Sequence, residues 1–176
     1  MKYFIHNEDN LDDKEIEEVV VRVKALLVNS NDELLMGYAH KIYQFPGGHV
    51  ESGEDMLLAL QREIKEETGI SLKLEGIMPF ACNIRYFKDY MKTGKKRKNY
   101  IYYYEIKTDF NPDLSKTNYT TDEVDGEFEL RYVNIDNIED VINENVRFYA
   151  NPMGIATEML ELLKFYKQNR WGDTYE

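Results

Sequence analysis

Glu63, Glu66 and Glu67 stand within five positions of one another in the run REIKEETG, residues 62 to 69. On a helix at about 100° per residue they fall within an arc of roughly 100°. Like charges at such spacing repel, by about a few tenths of a kcal/mol per pair. Clustered carboxylate oxygens are what magnesium or manganese takes, with substrate phosphates and waters completing an octahedron. A blander reading competes with this one. Any Glu-rich helix carries a solvated acidic face by default.

The elements around the cluster narrow the choice. EEVVVRVKALLVN, residues 17 to 29, is rich in β-branched residues and predicts a strand. SNDE turns it, and LLMGYA reads as its hairpin partner. QFPGGHVESGE is Gly/Pro-punctuated loop. A helix is predicted over 54–68, with Ser52 as its cap, acidic residues in its first turn and Gly69 as its stop. Its apolar stripe is Leu57, Leu60 and Ile64. The glutamates border that stripe, so they can sit at the edge of the core facing the glycine loop.

Downstream, Ser71 to Tyr86 reads as one or two strands, KNYIYYYEIK as another, and FELRYVNI as a further one. Asn137 to Asn145 predicts a short helix. A last helix starts at a cap-like Asn151 with Pro152 at its first position, and buries Ile155, Met159, Leu162, Leu163 and Tyr166. Strands and helices alternate without repeats or low-complexity linkers. That predicts one α/β domain over residues 1–176, a mixed sheet between helices, with a core at about 17–168 flanked by a short N-terminal extension and a C-terminal tail.

The full run is Gly48-HVESG-Glu54-DMLLALQ-Arg62-Glu63-Ile64-Lys65-Glu66-Glu67-Thr68-Gly69-Ile70. It resembles the signature of the Nudix (MutT-like) hydrolases: a Gly, five residues, a Glu, seven residues, then Arg-Glu-aliphatic-any-Glu-Glu-any-Gly-aliphatic. Every fixed position matches. Seven polar or glycine positions at roughly one in ten each would coincide about once in ten million windows. The resemblance covers this box; elsewhere it extends only to the layout of elements, an α/β/α sandwich.

The resemblance implies metal-dependent hydrolysis of a nucleoside diphosphate linked to another moiety, X. Glu63, Glu66 and Glu67 would then bind Mg2+, with Mn2+ as the alternative ion. A carbonyl of Gly47 or Gly48 would add a neutral ligand. Arg62 would orient the glutamates, Glu54 would brace the loop, and Gly69 would end the helix. Divalent metal offsets the charge on the phosphate oxygens while water attacks phosphorus in line. A carboxylate takes the proton. The base differs between family members: Glu63 is one candidate, and Glu123, Glu127 and Glu129 in TDEVDGEFELRYV are others. Glu127, expected on a loop, is the preferred one. The alternative function is a non-catalytic nucleotide-binding or sensing module on the same fold. Loss of a box glutamate would favour it, and none is lost.

Composition sets outer limits. The formal net charge is -11, which argues against nucleic acid or an anionic membrane as partner. A small nucleotide-like substrate is the expected partner, and the protein itself a monomer or homodimer. The apolar run near the N-terminus is broken by Arg22 and Lys24, so no stretch approaches the roughly 20 apolar residues of a membrane span. MKYFIHNEDNLDDKEIEE lacks the apolar core of a signal peptide, and the lone Cys82 has no internal disulfide partner. These features fit the cytoplasm.

Residues 88 to 99, KDYMKTGKKRKN, carry six basic residues and one acid. They read either as a solvated hairpin turn or as a basic loop, including Lys96 and Arg97, that draws anionic substrate. Tyr100, Tyr102 and Tyr104 share a face and read as packing, with stacking on a nucleobase as the alternative for a ring such as Tyr102. Phe45 and Tyr43 have the same ambiguity. His49 reads as loop structure that could touch phosphate, and Cys82 as a small core residue. The markers of the ADP-ribose, coenzyme A and NADH groups of the family are absent. Tyr86 lies near the spacing associated with dinucleoside polyphosphates, a weak signal among 14 tyrosines. The substrate stays open at this level.

Overall fold

The computed structural model describes residues 1–149, 151 and 154–170. In chain order it contains β1 (Lys2–His6), β2 (Glu18–Val28), β3 (Glu33–Ala39), β4 (Ile42–Gln44), α1 (Met56–Thr68), β5 (Ala81–Phe87), β6 (Arg97–Lys107), α2 (Thr121–Asp125), β7 (Glu129–Asn134), α3 (Ile138–Phe148) and α4 (Ile155–Arg170). The class is the expected α/β with mixed strand directions. Contacts gather into two compact units. One holds Met1–Leu27 and Pro46–Asn118, and the other holds Val28–Phe45 and the chain from Tyr119.

In the first unit the strand order is β1-β5-β6-β2. β1 runs parallel to β5, with Lys2 opposite Ala81 and His6 opposite Arg85. β5 and β6 are antiparallel, with Ala81 opposite Tyr103 and Phe87 opposite Arg97. β2 buries Ala25, Leu26 and Leu27 in succession, so both of its faces are covered there. The Gly/Pro loop lies along β2 in an antiparallel register. Ala25 N–H donates to the Pro46 carbonyl at 2.8 Å, Val23 N–H to Gly48 at 3.0 Å, and Val50 N–H to the Val21 carbonyl at 3.0 Å. The loop is therefore a backbone-pinned shelf rather than a slack connection.

α1 begins at Met56, two residues later than predicted. Its cap is Asp55, whose carboxylate accepts from Leu57 and Leu58 N–H, and not Ser52, which is exposed. The first turn carries no acid. Glu54 lies outside the helix because its carboxylate is bound to Arg62 and to Glu51 N–H. Leu60 and Ile64 are fully buried as the stripe predicts, and Glu67 joins them at 5% exposure. Gly69 ends the helix at φ 71°. The last helical carbonyls are taken by a following segment: Asp113 N–H donates to Thr68 and Asn118 N–H to Glu66.

The expectation for Ser71 to Tyr86 is only partly met, since the strand starts at Ala81. Gly76 at φ 67° and Pro79, which has no N–H, interrupt the segment before it. β1 lies in what was predicted to be an N-terminal extension outside the core. It is an exposed edge strand and lacks a buried face to announce it.

In the second unit β4 and β7 flank β3, both antiparallel to it. Leu34, Leu35 and Met36 of β3 are buried. α2 occupies the segment predicted as loop, closed by a capping box between Thr120 and Glu123. α3 extends three residues past its predicted end. α4 buries Met159, Leu162, Leu163 and Tyr166 as expected. The Asn151 side chain accepts from Ala156 N–H at 2.9 Å, a cap-like contact, while Pro152 lies outside the described residues. No described helix is long and apolar enough to cross a membrane.

Candidate active site

The box assembles within the first unit, around one guanidinium. Arg62 Nε and Nη2 each donate to the Glu54 carboxylate at 2.9 Å. Nη1 donates to Glu63 at 2.7 Å and to Glu66 at 3.2 Å, and Nη2 also reaches the His49 carbonyl at 3.0 Å. A planar fork suits this divergent set in a way that an ammonium would not. The arginine ties helix α1 to the loop before it and holds two of the three clustered acids. Glu54, which also accepts from Glu51 N–H, is the loop's side of that tie.

The third acid turns to the glycines. The Gly47 N–H donates to the Glu67 carboxylate at 3.1 Å. Gly48 lies against Glu63: a Cβ built there would come within 2.4 Å of Glu63 Oε2. A Cβ at Gly47, at φ 126°, would come within 2.2 Å of the Val23 carbonyl oxygen. Glycine at both positions lets the loop backbone approach the carboxylates and the strand together.

Glu63, Glu66, Glu67 and a Gly47 or Gly48 carbonyl could offer a cation only hard oxygens, which is the chemistry that magnesium or manganese takes. A cationic group already stands at one of these donors. The Lys24 ammonium, from β2, donates to the Gly47 carbonyl. Glu63 and Glu66 bond to Arg62. Among the described residues no three His, Cys, Asp or Glu side chains are already spaced around a single point for a metal.

The environment shifts protonation in opposite senses. Burial pushes the Glu63 carboxyl above its ordinary value, against the pull of Arg62 and Lys24. The Arg62 hydrogen bonds, with Glu51 N–H, hold Glu54 down at about 2. His49 is lowered to about 4, by burial first and then by Arg22, Lys24 and Arg97. It is therefore neutral at pH 7. Its Nε2 then accepts from Arg22 Nη2 at 3.1 Å, because arginine only donates.

The Glu54 shift has a consequence for acid stability. A carboxyl depressed in the folded state stabilises fully above its unfolded value near 4.5. That contribution is lost as pH falls through about 2. Metal-free Glu54→Gln protein should therefore lose less melting temperature than the parent between pH 5 and pH 2. Parallel losses would remove Glu54 from the acid response.

Other predicted residues fall as follows. Phe45, at 2% exposure, is a core ring. Tyr86 donates its hydroxyl to Asp13 at 2.8 Å, and Lys98 sits over its ring. Lys96 pairs with Glu15 at 2.6 Å, Arg97 with Glu18 at 2.7 Å, and Lys98 with Asp13 at 2.7 Å. Half of the basic run's six cations thus meet acids from the N-terminal stretch. Tyr102 stacks with Tyr100, ring centroids 6.5 Å apart, and lines a cavity of about 610 Å³ with His49, Val50, Glu54 and Met56. Cys82 is buried, and burial raises its thiol to about 11.

In the second unit Glu127 has φ 53° and lines a cavity of about 520 Å³ with Tyr38, His40, Lys41, Asp125 and Glu129. Glu129 pairs with Arg131, and Glu123 is engaged in the capping box. Tyr43 packs on Tyr38 and accepts from Arg131 at 3.0 Å.

Sequence reasoning passed over Arg22 and Lys24, which the structure brings against the box loop. Two cations at i and i+2 in an otherwise β-branched strand share one face. That spacing was the available signal.

Known proteins share the family signature and the fold. The model of the NUDIX domain matches residues 18–151. Nudix hydrolase 10 of Arabidopsis thaliana is 40% identical over 62 residues, 34% of this chain; the chain spans only about a fifth of that relative, 22% of its length. The solution structure of the E. coli ORF135 protein superposes with a TM-score of 0.58 at 17% identity, over 90% of this chain and 96% of that one. The C. elegans Ap4A hydrolase binary complex gives 0.56 at 18%, over 87% and 98%. The MutT protein of Methanosarcina mazei gives 0.53 at 19%, over 86% and 98%. At such identities these likenesses concern the fold. With the family match over residues 18–151 and the complete box, they place this chain in the Nudix family.

Proposed function

We propose that the protein hydrolyses a pyrophosphate bond in a nucleoside diphosphate linked to another moiety, with a divalent cation, Mg2+ or alternatively Mn2+, held by Glu63, Glu66, Glu67 and a Gly47 or Gly48 carbonyl. One observation carries this reading. Arg62 gathers Glu54, Glu63 and Glu66 beside the Gly47–Gly48 turn, where Glu67 is already bonded. Repelling carboxylates are held together at a cost that a solvated face would avoid. Bound there, the cation supplies counter-charge for the phosphate oxygens as water attacks phosphorus.

The chain's own residues do the rest. Arg62 orients Glu63 and Glu66. Glu54, ionised at every physiological pH, keeps Arg62 in place. Glu67 fixes the Gly47 amide and with it the loop carbonyls. The proton from the attacking water goes to a carboxylate, for which Glu127 and Glu63 are the candidates. Glu63's raised proton affinity suits the role. Glu127→Gln should lower the hydrolysis rate about a hundredfold if Glu127 is the base. A rate within a few-fold of the parent transfers the role to Glu63.

The testing experiment is a panel of nucleoside triphosphates, dinucleoside polyphosphates and nucleotide sugars with magnesium in 18O-water. We expect hydrolysis of at least one class, with the label carried on phosphorus in one product. An inert protein across the panel would overturn the reading in favour of a binding or sensing module.

A further inference from the structure

We infer that Arg22 on β2 and His49 on the box loop form a subsite for a phosphate group of the substrate, beside the glutamate cluster; this rests on the hydrolase reading above. Arg22 is the anomaly that points to it. In a chain with 33 acids and 22 bases, Arg62, Arg97, Arg131 and Arg170 each hold a carboxylate. Half-buried Arg22 holds none among the described residues. Its Nη2 lies 3.1 Å from His49 Nε2, and its Nε is buried without any hydrogen-bond partner. The guanidinium carries its charge at a half-buried site with no carboxylate beside it among the described residues, and an arriving anion supplies the missing counter-charge.

The surroundings favour an anion and position it. Arg22 meets His49 and Lys24 meets the Gly47 carbonyl, so two cations from one face of β2 stand against the box loop in a chain of net charge -11. The Gly47 carbonyl that Lys24 meets belongs to the turn that bonds Glu67 and lies against Glu63, which puts the same strand face beside the glutamate cluster. Arg22 and His49 are bridge partners across the pinned loop, flanked by the Val23–Gly48 and Val50–Val21 backbone bonds. The two side chains are thus held in register before any ligand arrives. The exposed Nη end of an arginine fork matches the oxygen pattern of a phosphate.

The test uses imidodiphosphate, which carries the shared diphosphate chemistry whatever X is. Its binding to the full protein with magnesium is measured by calorimetry for the parent, Arg22→Gln and Arg22→Lys. Arg22→Gln should weaken binding about tenfold, the loss of a charge-assisted hydrogen bond. Arg22→Lys should weaken it less, because the charge stays and the fork goes. The metal-free melting temperature of Arg22→Gln should equal or exceed the parent's, since an uncompensated charge has been removed. Parent-like binding by Arg22→Gln overturns the subsite, and so does weaker binding matched by a fall in melting temperature, which marks a structural arginine. Should Arg22→Gln fail to fold, parent-like binding by Arg22→Lys overturns it. Failure of the parent to bind the probe overturns the subsite; the hydrolase reading falls separately, if the parent turns over no nucleotide of the panel.

Discussion

Glu67→Gln is expected to lower hydrolysis about 10³-fold, since several kcal/mol of transition-state charge stabilisation depend on the cation site. The substitution is nearly isosteric. Its amide oxygen can still accept from the Gly47 N–H that Glu67 holds at 3.1 Å, so the loop keeps its position. The charge and one acceptor oxygen are lost. The metal-free melting temperature should hold or rise, because one of three like charges on α1 is gone. The stabilisation that magnesium gives the parent by mass action should shrink in the variant. Steady-state rates and thermal melts with and without magnesium check both halves. A variant with parent rates would show that Glu67 is no ligand.

Gly69→Ala carries the largest expected effect on stability. Gly69 ends α1 in the left-handed region at φ 71°, and a Cβ there would come within 1.9 Å of the Asp113 carbonyl oxygen. That oxygen belongs to backbone anchored by the Asp113-to-Thr68 hydrogen bond, so it cannot move aside without loosening the helix end. Backbone strain and overpacking together should cost on the order of 3 kcal/mol. For a chain this size that is roughly a 6–12 °C fall in melting temperature. Gly53→Ala is the matched control. Its φ is 79°, but a Cβ there meets nothing within 4 Å, so only the conformational cost of about 1 kcal/mol applies. Equal losses in the two variants would mean that the contact with Asp113 is not what makes Gly69 necessary.

The contrast between these glycines also marks how far sequence reasoning reaches. Gly69 is legible as a helix stop because the signal is local: an apolar stripe at helical spacing that ends on glycine. The close approach of Asp113 is not, because it joins positions 44 residues apart. The same division runs through the chain. β2, β6 and α4 announce themselves by local composition and spacing, and the box by its resemblance to the Nudix signature. β1 does not, since its five residues have no buried face and its pairing with β5 spans about 80 positions. Asp55 displaced Ser52 as the cap because Glu54 is committed to Arg62, a tertiary fact.

Charge shows the division most clearly. The run at 88 to 99 reads as an open basic loop until Asp13, Glu15 and Glu18 are seen against it. Arg22 and Lys24 read as interruptions of a strand until the loop is seen lying along β2. Local pattern decides which residues form an element. Which charges are compensated is decided by partners far away in sequence, and functional cations are found by that difference.

The central claim is that α1 and the glycine loop hold a divalent cation. Its most direct test is manganese binding to metal-stripped protein, followed by electron paramagnetic resonance and compared between the parent and Glu67→Gln. The parent should bind manganese saturably, with magnesium displacing it and a rise in melting temperature on loading. Glu67→Gln should bind far more weakly. A parent that binds no manganese, or a variant that binds it equally well, would contradict the assignment of these glutamates.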